Sequence, residues 1–331
     1  MRLAPRCTDL TGAPCPCSVA VHPDGTTLVC AFGDHLQLFT VRLSVGAGEG
    51  EPPCSLSPLE PPAGAAPLSG LGETKCVVFS PDGALLALGG GDGRLRLFSW
   101  PALALKADEK QAHADSVSDA DFSPDGTLLL TTGNEKVGPA GGAAVWRVTP
   151  DGLTRVRWLD GVRAPRGARI TMRGAKFARD GSGRAFTGAN VTDESRVLTW
   201  RVSDWRCMSS RRVLPEPLTS LALSPGGGRL LAAGGSEGSL VLLSAKTLAP
   251  LRRVPNAHMV FVTGLSFSPS GRTVASISAD ASARCTLAPP RTTLGAVLLR
   301  LFLTLVLHLS VVALLLHTHR RGLWRAPSWM R

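Results

Sequence analysis

The sequence contains no tyrosine among its 331 residues, and only 5% of its residues are aromatic. Familiar catalytic signatures are also missing: there is no GxSxG nucleophile elbow, no HExxH metal motif and no GxxxxGK[ST] phosphate loop. The arginines are not interleaved with aromatic residues that could stack on bases, and no recognition-helix motif occurs. We therefore predict that the protein is neither an enzyme with covalent catalysis nor a nucleic-acid-binding protein, and that it holds no cofactor or metal ion.

The eight cysteines show no paired zinc-ligand spacing, and the N-terminal residues lack the apolar run of a signal peptide. We therefore expect the main body of the protein to lie in the cytosol with its thiols reduced. The formal net charge is +11. A positive charge of this size suits an anionic membrane surface, an acidic protein or nucleic acid, and it does not choose among them.

Glycine and proline are abundant, with 36 and 25 copies, and they mark a turn that occurs six times. Each copy is Pro-Asp-Gly or a variant followed by an apolar run, from His22–Gly25 to Ser268–Gly271, with a basic period of about 44 residues. A strand before the turn and two or three after it would form one propeller blade. The fold class predicted for residues 1–290 is all-β, a WD-repeat β-propeller of the seven-bladed kind with six repeats visible.

Four residues match positions that are structural in WD repeats. His113 and His258 each precede the innermost strand of a blade, Trp146 lies on a third strand, and Asp280 lies in a tight turn. We predict that these side chains hydrogen-bond within their own blades and take no part in catalysis.

Two segments interrupt the repeat. Residues 44–72 are rich in proline, glycine and alanine, which predicts a disordered insert between strands. Residues 148–174 carry six arginines. They are interpreted either as a solvated outer strand and loop, or as a contact for an acidic partner or anionic headgroups.

A long apolar run follows the repeats. Leu294–Leu316 would span about 34 Å as a helix, enough to cross a bilayer, and only Arg300 and His308 interrupt it strongly. We predict a transmembrane anchor at 294–316, followed by a short basic tail at 317–331. The alternative is a buried core helix, although such helices normally keep a polar face.

A WD-repeat body with one C-terminal membrane helix resembles the prolactin regulatory element-binding protein family. The segments that match best are the blade Cys76–Phe98, with Gln111–His113 after it, and the stretch Asn256–Phe267. Members of that family are exchange factors of the endoplasmic reticulum for the Sar-type small GTPase that starts COPII coat assembly.

The resemblance implies a guanine-nucleotide exchange factor in transport from the endoplasmic reticulum to the Golgi. It would be a single-pass protein of the endoplasmic-reticulum membrane, with its propeller facing the cytosol. Its partners would be the Sar-type GTPase, that membrane and COPII coat components. The family's glycine-rich potassium-binding loop is not found in this chain, so no exchange residue is assigned. The alternative function is a membrane-anchored WD-repeat scaffold without exchange activity.

Overall fold

The computed structural model describes residues 16–43, 54–133, 142–159, 170–192 and 194–290, together with five alternating residues between 302 and 310. The chain divides into two compact units after Ala288. The described residues of the first unit form 23 β-strands, and in each sheet the strands pair antiparallel in chain order.

Each sheet forms one blade. Blade 1 contains β1 (Ser18–Val21), β2 (Thr27–Phe32), β3 (His35–Leu43) and β4 (Cys54–Leu59). Blade 2 contains β5 (Thr74–Phe79), β6 (Leu85–Gly90), β7 (Leu95–Ser99) and β8 (Leu105–Glu109). Blade 3 contains β9 (Val117–Phe122), β10 (Leu128–Gly133), β11 (Ala143–Thr149) and β12 (Gly152–Trp158).

The remaining blades follow the same plan. Blade 4 contains β13 (Ile170–Phe177), β14 (Arg184–Val191), β15 (Glu194–Arg201) and β16 (Arg206–Leu214). Blade 5 contains β17 (Leu218–Leu223), β18 (Leu230–Gly235), β19 (Leu240–Ser244) and β20 (Pro250–Val254). Blade 6 has three described strands, β21 (Val262–Phe267), β22 (Thr273–Ser278) and β23 (Ala283–Leu287).

The repeated turn connects the first and second strands of each blade, as the sequence predicts. In blade 2, Gly83 adopts a φ of 74°, and the Ser80 hydroxyl accepts a 2.9 Å hydrogen bond from the N–H of Leu85. Ser123 accepts the same bond from Leu128 in blade 3. The serine closes the turn and the glycine permits it, since a positive φ is strained for other residues.

The second and third strands of the blades form the core. Strand β18 is buried at every position, and β10 at every position after its first residue. Trp146 and Trp200 are also buried, and their indole N–H groups each donate a 2.9 Å hydrogen bond to a threonine, Thr131 and Thr187 respectively. Each tryptophan thus fills space between blades without leaving a buried donor unpaired.

Innermost strands of successive blades pack side by side, and between blades 3 and 4 two carboxylates bridge them. Asp119 on β9 accepts hydrogen bonds from the Ala175 N–H and from Lys176 Nζ, at 2.9 and 2.7 Å. Asp121 accepts bonds from the Phe177 N–H at 2.7 Å and from Arg179 at 3.1 Å. These bonds satisfy backbone donors of β13 with side chains of the neighbouring blade.

The predicted blade number differs from the structure. The described residues form six blades rather than seven, which follows from a repeat turn that occurs six times. Packing joins each blade to the next from blade 1 to blade 6, but the described strands show no comparable packing between blades 6 and 1. Val19 and Val21 on blade 1 and Ile277 on blade 6 are about half exposed.

The prediction of a disordered insert at 44–72 is wrong for its second part. Residues 44–53 lie outside the described residues, but Cys54–Leu59 forms β4, which pairs with β3 from Leu43↔Cys54 to Leu38↔Leu59. Farther along, Leu71 is buried in the apolar core of blades 1 and 2. Proline and glycine are common here because the segment makes an edge strand and turns, which they tolerate.

The predicted transmembrane helix Leu294–Leu316 lies almost entirely outside the described residues. The five alternating positions that are described, from 302 to 310, are helical, and the Ser310 hydroxyl donates to the Val306 carbonyl at 2.8 Å. Within the described part of the chain, no helix is long and apolar enough to cross a membrane. The anchor and the tail at 317–331 stay predictions.

Removing the Asp121 carboxylate should destabilise the protein strongly. In Asp121→Ala, the buried Phe177 N–H and the Arg179 guanidinium lose their acceptor. We expect the free energy of unfolding to fall by about 2–4 kcal/mol in urea denaturation. The control is Glu194→Ala, which removes an exposed ion pair with Arg212 and should cost about 1 kcal/mol or less. Equal losses in the two variants would contradict the bridging role of Asp121.

The thiol of Cys76 should resist alkylation in the folded protein. Burial raises its pKa to about 12, so at pH 8 the reactive thiolate is scarce and the sulfur is also inaccessible. Cys285 is exposed. We expect mass spectrometry after brief iodoacetamide treatment at pH 8 to find label on Cys285 and none on Cys76 until denaturant is added. Labelling of Cys76 at the rate of Cys285 would show that this core position opens readily.

Candidate protein-interaction site

The four predicted WD-repeat residues lie in two separate blades. His113 and Trp146 both contact Thr131 in blade 3: the imidazole Nε2 lies 2.8 Å from the Thr131 hydroxyl, and the Trp146 indole N–H donates to the same oxygen. His258 and Asp280 belong to blade 6. The structure therefore places the four side chains in two structural networks and does not assemble them into one site.

The network of blade 6 differs from that of blade 3. His258 Nε2 lies 2.8 Å from the Ser276 hydroxyl and Nδ1 lies 2.7 Å from the Ser282 hydroxyl. Thr286, opposite Val274, takes the place that Trp146 has opposite Leu129, and its hydroxyl is buried without a hydrogen-bond partner among the described residues. His258 therefore contacts two serines, whereas in blade 3 Thr131 contacts both His113 and Trp146.

Asp280 connects the His258 network to the backbone of the loop that follows His258. Its carboxylate accepts 2.8 Å hydrogen bonds from the N–H groups of Ser282 and Met259, and it lies 3.7 Å from His258 Nδ1. Hydrogen bonding to Ser282 and to the Met259 N–H holds the pKa of Asp280 well below its usual range. The carboxylate is therefore ionised at neutral pH and acts as a fixed acceptor for the Met259 backbone.

The turn between β18 and β19 supports the same loop from the side of blade 5. Gly238 has a φ of 80°, and a Cβ atom there would lie 2.2 Å from the His258 carbonyl oxygen. Only glycine allows this approach, in which the Gly238 carbonyl accepts a 3.0 Å bond from the His258 N–H. The turn itself is held by Glu216, which accepts hydrogen bonds from the Glu237 N–H and the Ser239 hydroxyl.

Three apolar residues project from this fixed backbone. We call Met259–Phe261 the apolar loop: Met259 is 90% exposed, Phe261 is 47% exposed and Val260 is also exposed. The Phe261 carbonyl accepts a 2.9 Å bond from the Ser278 hydroxyl, so both ends of the loop are anchored to blade 6. Large apolar side chains on a surface that is already ordered are typical of protein-interaction hot spots, because binding costs little conformational entropy.

Blade 3 provides an internal comparison for the apolar loop. There Gly93 and His113 meet as Gly238 and His258 do, with a 3.1 Å bond from the His113 N–H to the Gly93 carbonyl. The three residues after His113, however, are Ala114–Ser116, which are small or polar. Of these two blades, blade 6 carries an apolar surface on this backbone arrangement and blade 3 does not, so the apolar residues are not required by the repeat.

The rest of the described structure offers little for chemistry on a small substrate. A cavity of about 420 Å³ lies between β1 and β5, and Arg179 is the only charged residue in its lining. Among the described residues, no group of three or more His, Cys, Asp or Glu side chains could hold a metal ion. The arrangement around the apolar loop can bind a protein surface, and the exposed Glu237 lies in the turn whose Gly238 approaches the backbone of this loop.

Sequence reasoning missed the apolar loop as a site. It matched Asn256–Phe267 to a family but gave no role to residues 259–261. The signal was present: three large apolar residues directly follow a WD-repeat histidine, where the loop must reach the surface. Of the predicted anchor residues, Leu294, Arg300 and Leu316 lie outside the described residues, whereas His308 is helical and its Nδ1 lies 2.7 Å from the Thr304 carbonyl oxygen.

Loss of the Asp280 carboxylate should loosen the apolar loop without unfolding the blade. In Asp280→Ala the Met259 N–H loses its acceptor, so we expect amide hydrogen exchange at residues 258–261 to become several-fold faster. Asp92→Ala is the matched control, because Asp92 accepts a bond from the Arg94 N–H in the corresponding turn of blade 2. Unchanged exchange in Asp280→Ala would exclude Asp280 as the residue that positions this loop.

One protein-family model and several individual proteins are similar to this chain. The WD domain, G-beta repeat family matches residues 71–99, 108–137 and 250–285, which lie mainly in blades 2, 3 and 6. SEC12-like protein 2 of Arabidopsis thaliana is 29% identical over 285 residues, covering 84% of this chain and 66% of the relative. SEC12-like protein 1 of the same plant is 30% identical over 268 residues, covering 80% and 61%.

A mouse relative carries a functional name. The guanine nucleotide-exchange factor SEC12 of Mus musculus is 28% identical over 205 residues, covering 59% of this chain and 47% of the relative. The chain thus spans less than two thirds of the length of the relatives it matches. The resemblance drawn from the sequence is confirmed: the chain is a WD-repeat propeller protein homologous to the Sec12 proteins, for which prolactin regulatory element-binding protein is the mammalian name.

Proposed function

We propose that this protein is a guanine-nucleotide exchange factor for a Sar-type small GTPase. It would start COPII vesicle formation in transport from the endoplasmic reticulum to the Golgi. The mouse and rat relatives are named guanine nucleotide-exchange factors, which supports the class of activity. The observation that carries the proposal is the apolar loop Met259–Phe261, a rigid and exposed surface inside a matched WD repeat.

An exchange factor of this kind needs no covalent chemistry. It binds the nucleotide-free GTPase better than the GDP-bound form, and by thermodynamic linkage the affinity for nucleotide then falls by the same factor. The propeller would contribute a docking surface that does not rearrange, so that the GTPase is the partner that changes shape. Met259 and Phe261 would fill apolar depressions on the GTPase, while Glu237 would face one of its basic residues.

The proposal includes a location on the endoplasmic-reticulum membrane. The run Leu294–Leu316 would hold the protein in the endoplasmic-reticulum membrane as a single-pass anchor, with the propeller in the cytosol. Exchange would then occur beside the bilayer on which the coat assembles. The proposed partners of the protein include COPII coat components. The proposed function requires no nucleic acid, cofactor or metal.

The activity can be tested by the release of a fluorescent GDP analogue from a purified Sar-type GTPase. The full chain, in detergent or in lipid nanodiscs, should accelerate release. We expect Met259→Asp to reduce this acceleration about tenfold or more, because a charged side chain cannot make the apolar contact that Met259 would make with the GTPase. Ala114→Asp, at the corresponding exposed position of blade 3, should retain the full rate.

The alternative outcomes are distinct. If the full chain captures nucleotide-free GTPase without accelerating release, the protein is a membrane-anchored scaffold without exchange activity. If Met259→Asp and Ala114→Asp lower the rate equally, the apolar loop is not the contact. Absence of both capture and acceleration would reject the proposed function.

A further inference from the structure

The outermost strands of three consecutive blades form a continuous basic surface. Strands β12, β16 and β20 carry seven arginines and no aspartate or glutamate: Arg155, Arg157, Arg206, Arg211, Arg212, Arg252 and Arg253. We call these three strands the basic edge. The outermost strand of blade 2, β8, instead carries one lysine and two acidic residues, so positive charge is concentrated on one side of the propeller.

Hydrogen bonds from the arginines join the neighbouring parts of the edge. Arg157 donates to the Asp204 carbonyl just before β16, at 3.0 Å. Arg253 donates to the Val213 carbonyl of β16 at 3.0 Å, and Arg252 donates to the Leu287 carbonyl at the end of β23 at 2.9 Å. The edge therefore runs from blade 3 to blade 5 and contacts the end of β23 in blade 6.

Part of this charge has no carboxylate partner among the described residues. Arg212 forms an ion pair with Glu194 at 2.9 Å. Within the described ranges, no carboxylate lies within ion-pair distance of Arg206 or Arg211, although both are exposed. Large apolar side chains lie among the arginines, since Val156, Met208 and Leu251 are each about half exposed.

We propose that the basic edge lies against the anionic headgroups of a lipid bilayer. Arginines interspersed with exposed apolar side chains suit this partner, because guanidinium groups bind phosphates while the apolar residues enter the interfacial layer. Among these three strands the one aromatic residue is Trp158 on β12, whose ring lies 5.1 Å from the Arg155 guanidinium, and β16 and β20 carry none that could stack on nucleic-acid bases. This inference rests on the proposed function, because it assumes the membrane anchor. It adds a second contact between the protein and the membrane.

The apolar run Leu294–Leu316 begins shortly after Leu287, which contacts the basic edge. This closeness in sequence favours lipid, rather than an acidic protein, as the partner of the edge. Leu287, which is 66% exposed, receives the hydrogen bond from Arg252, and only six residues separate it from Leu294. A connection of that length spans about 25 Å when fully extended. An anchored run would thus keep this end of the edge within reach of headgroups, at a high effective concentration.

Hydrogen exchange on the full chain in nanodiscs tests the inference. We expect amides of Arg206–Leu214 and Pro250–Val254 to exchange several-fold more slowly in discs of phosphatidylcholine with about 30% phosphatidylserine than in phosphatidylcholine alone. The protection should disappear in 0.5 M salt, since screening weakens exposed charge interactions. It should also be lost in Arg206→Glu/Arg211→Glu, whose unfolding midpoint should stay near that of the wild type because both side chains are exposed and neither pairs with a described carboxylate.

The control is Lys106→Glu/Lys110→Glu, which changes the same amount of charge at the outer edge of blade 2 and should keep the protection. Equal exchange in the two disc types would overturn the inference, as would protection that appears only after an acidic protein partner is added.

GDP release from the same samples separates the two proposals, because Met259→Asp should lose exchange activity and keep the lipid-dependent protection. If the chain fails to enter discs, the anchor is wrong, and flotation with anionic against neutral vesicles still decides whether the edge binds lipid.

Discussion

The stacking of inner strands from neighbouring blades is the constraint on which the structure depends. Between blades 3 and 4, Asp119 and Asp121 accept main-chain hydrogen bonds from β13, so the blades are joined by directional bonds as well as by apolar contact. Burial raises the pKa of Asp121 against the opposing effect of Lys176 and Arg179. Burial alone would lower the pKa of Lys176, but the nearby Asp119 and Asp121 carboxylates raise it. The two carboxylates thus have both main-chain and cationic partners across this interface.

A propeller with fixed blade registers can present loops without ordering them on binding. The apolar loop shows how this works locally. A glycine turn from blade 5, a histidine held by two serines and an aspartate that accepts the Met259 N–H fix its backbone from three sides. The exposed side chains therefore lose only rotamer freedom when a partner binds, which lowers the entropic cost of association. A loop of the same sequence on a flexible connection would bind more weakly.

The sequence was sufficient to predict the features that depend on local chemistry. The six turns, the strands beside them and the all-β fold follow from Pro-Asp-Gly spacing and from alternating apolar residues, because a turn and a strand are specified by a few neighbouring residues. Features that depend on distant residues could not be predicted. β4 was missed because the pairing of Cys54–Leu59 with β3 overrides its proline-rich composition, and the bridge from Asp121 to Phe177 joins residues 56 positions apart. The exposure of Met259 likewise depends on where blades 5 and 6 meet.

The two proposed surfaces use different parts of a blade, and this separation has a physical consequence. The apolar loop lies between the outermost strand of blade 5 and the innermost strand of blade 6, whereas the basic edge consists of outermost strands. A partner on the loop and headgroups on the edge would therefore contact different side chains. The interactions also differ in kind: burial of Met259 and Phe261 is nearly independent of salt, while attraction of arginines to lipid is screened by it. Ionic strength should therefore change the contact of the basic edge with headgroups more than the contact of Met259 and Phe261 with a partner, because arginines make the first contact and apolar side chains make the second.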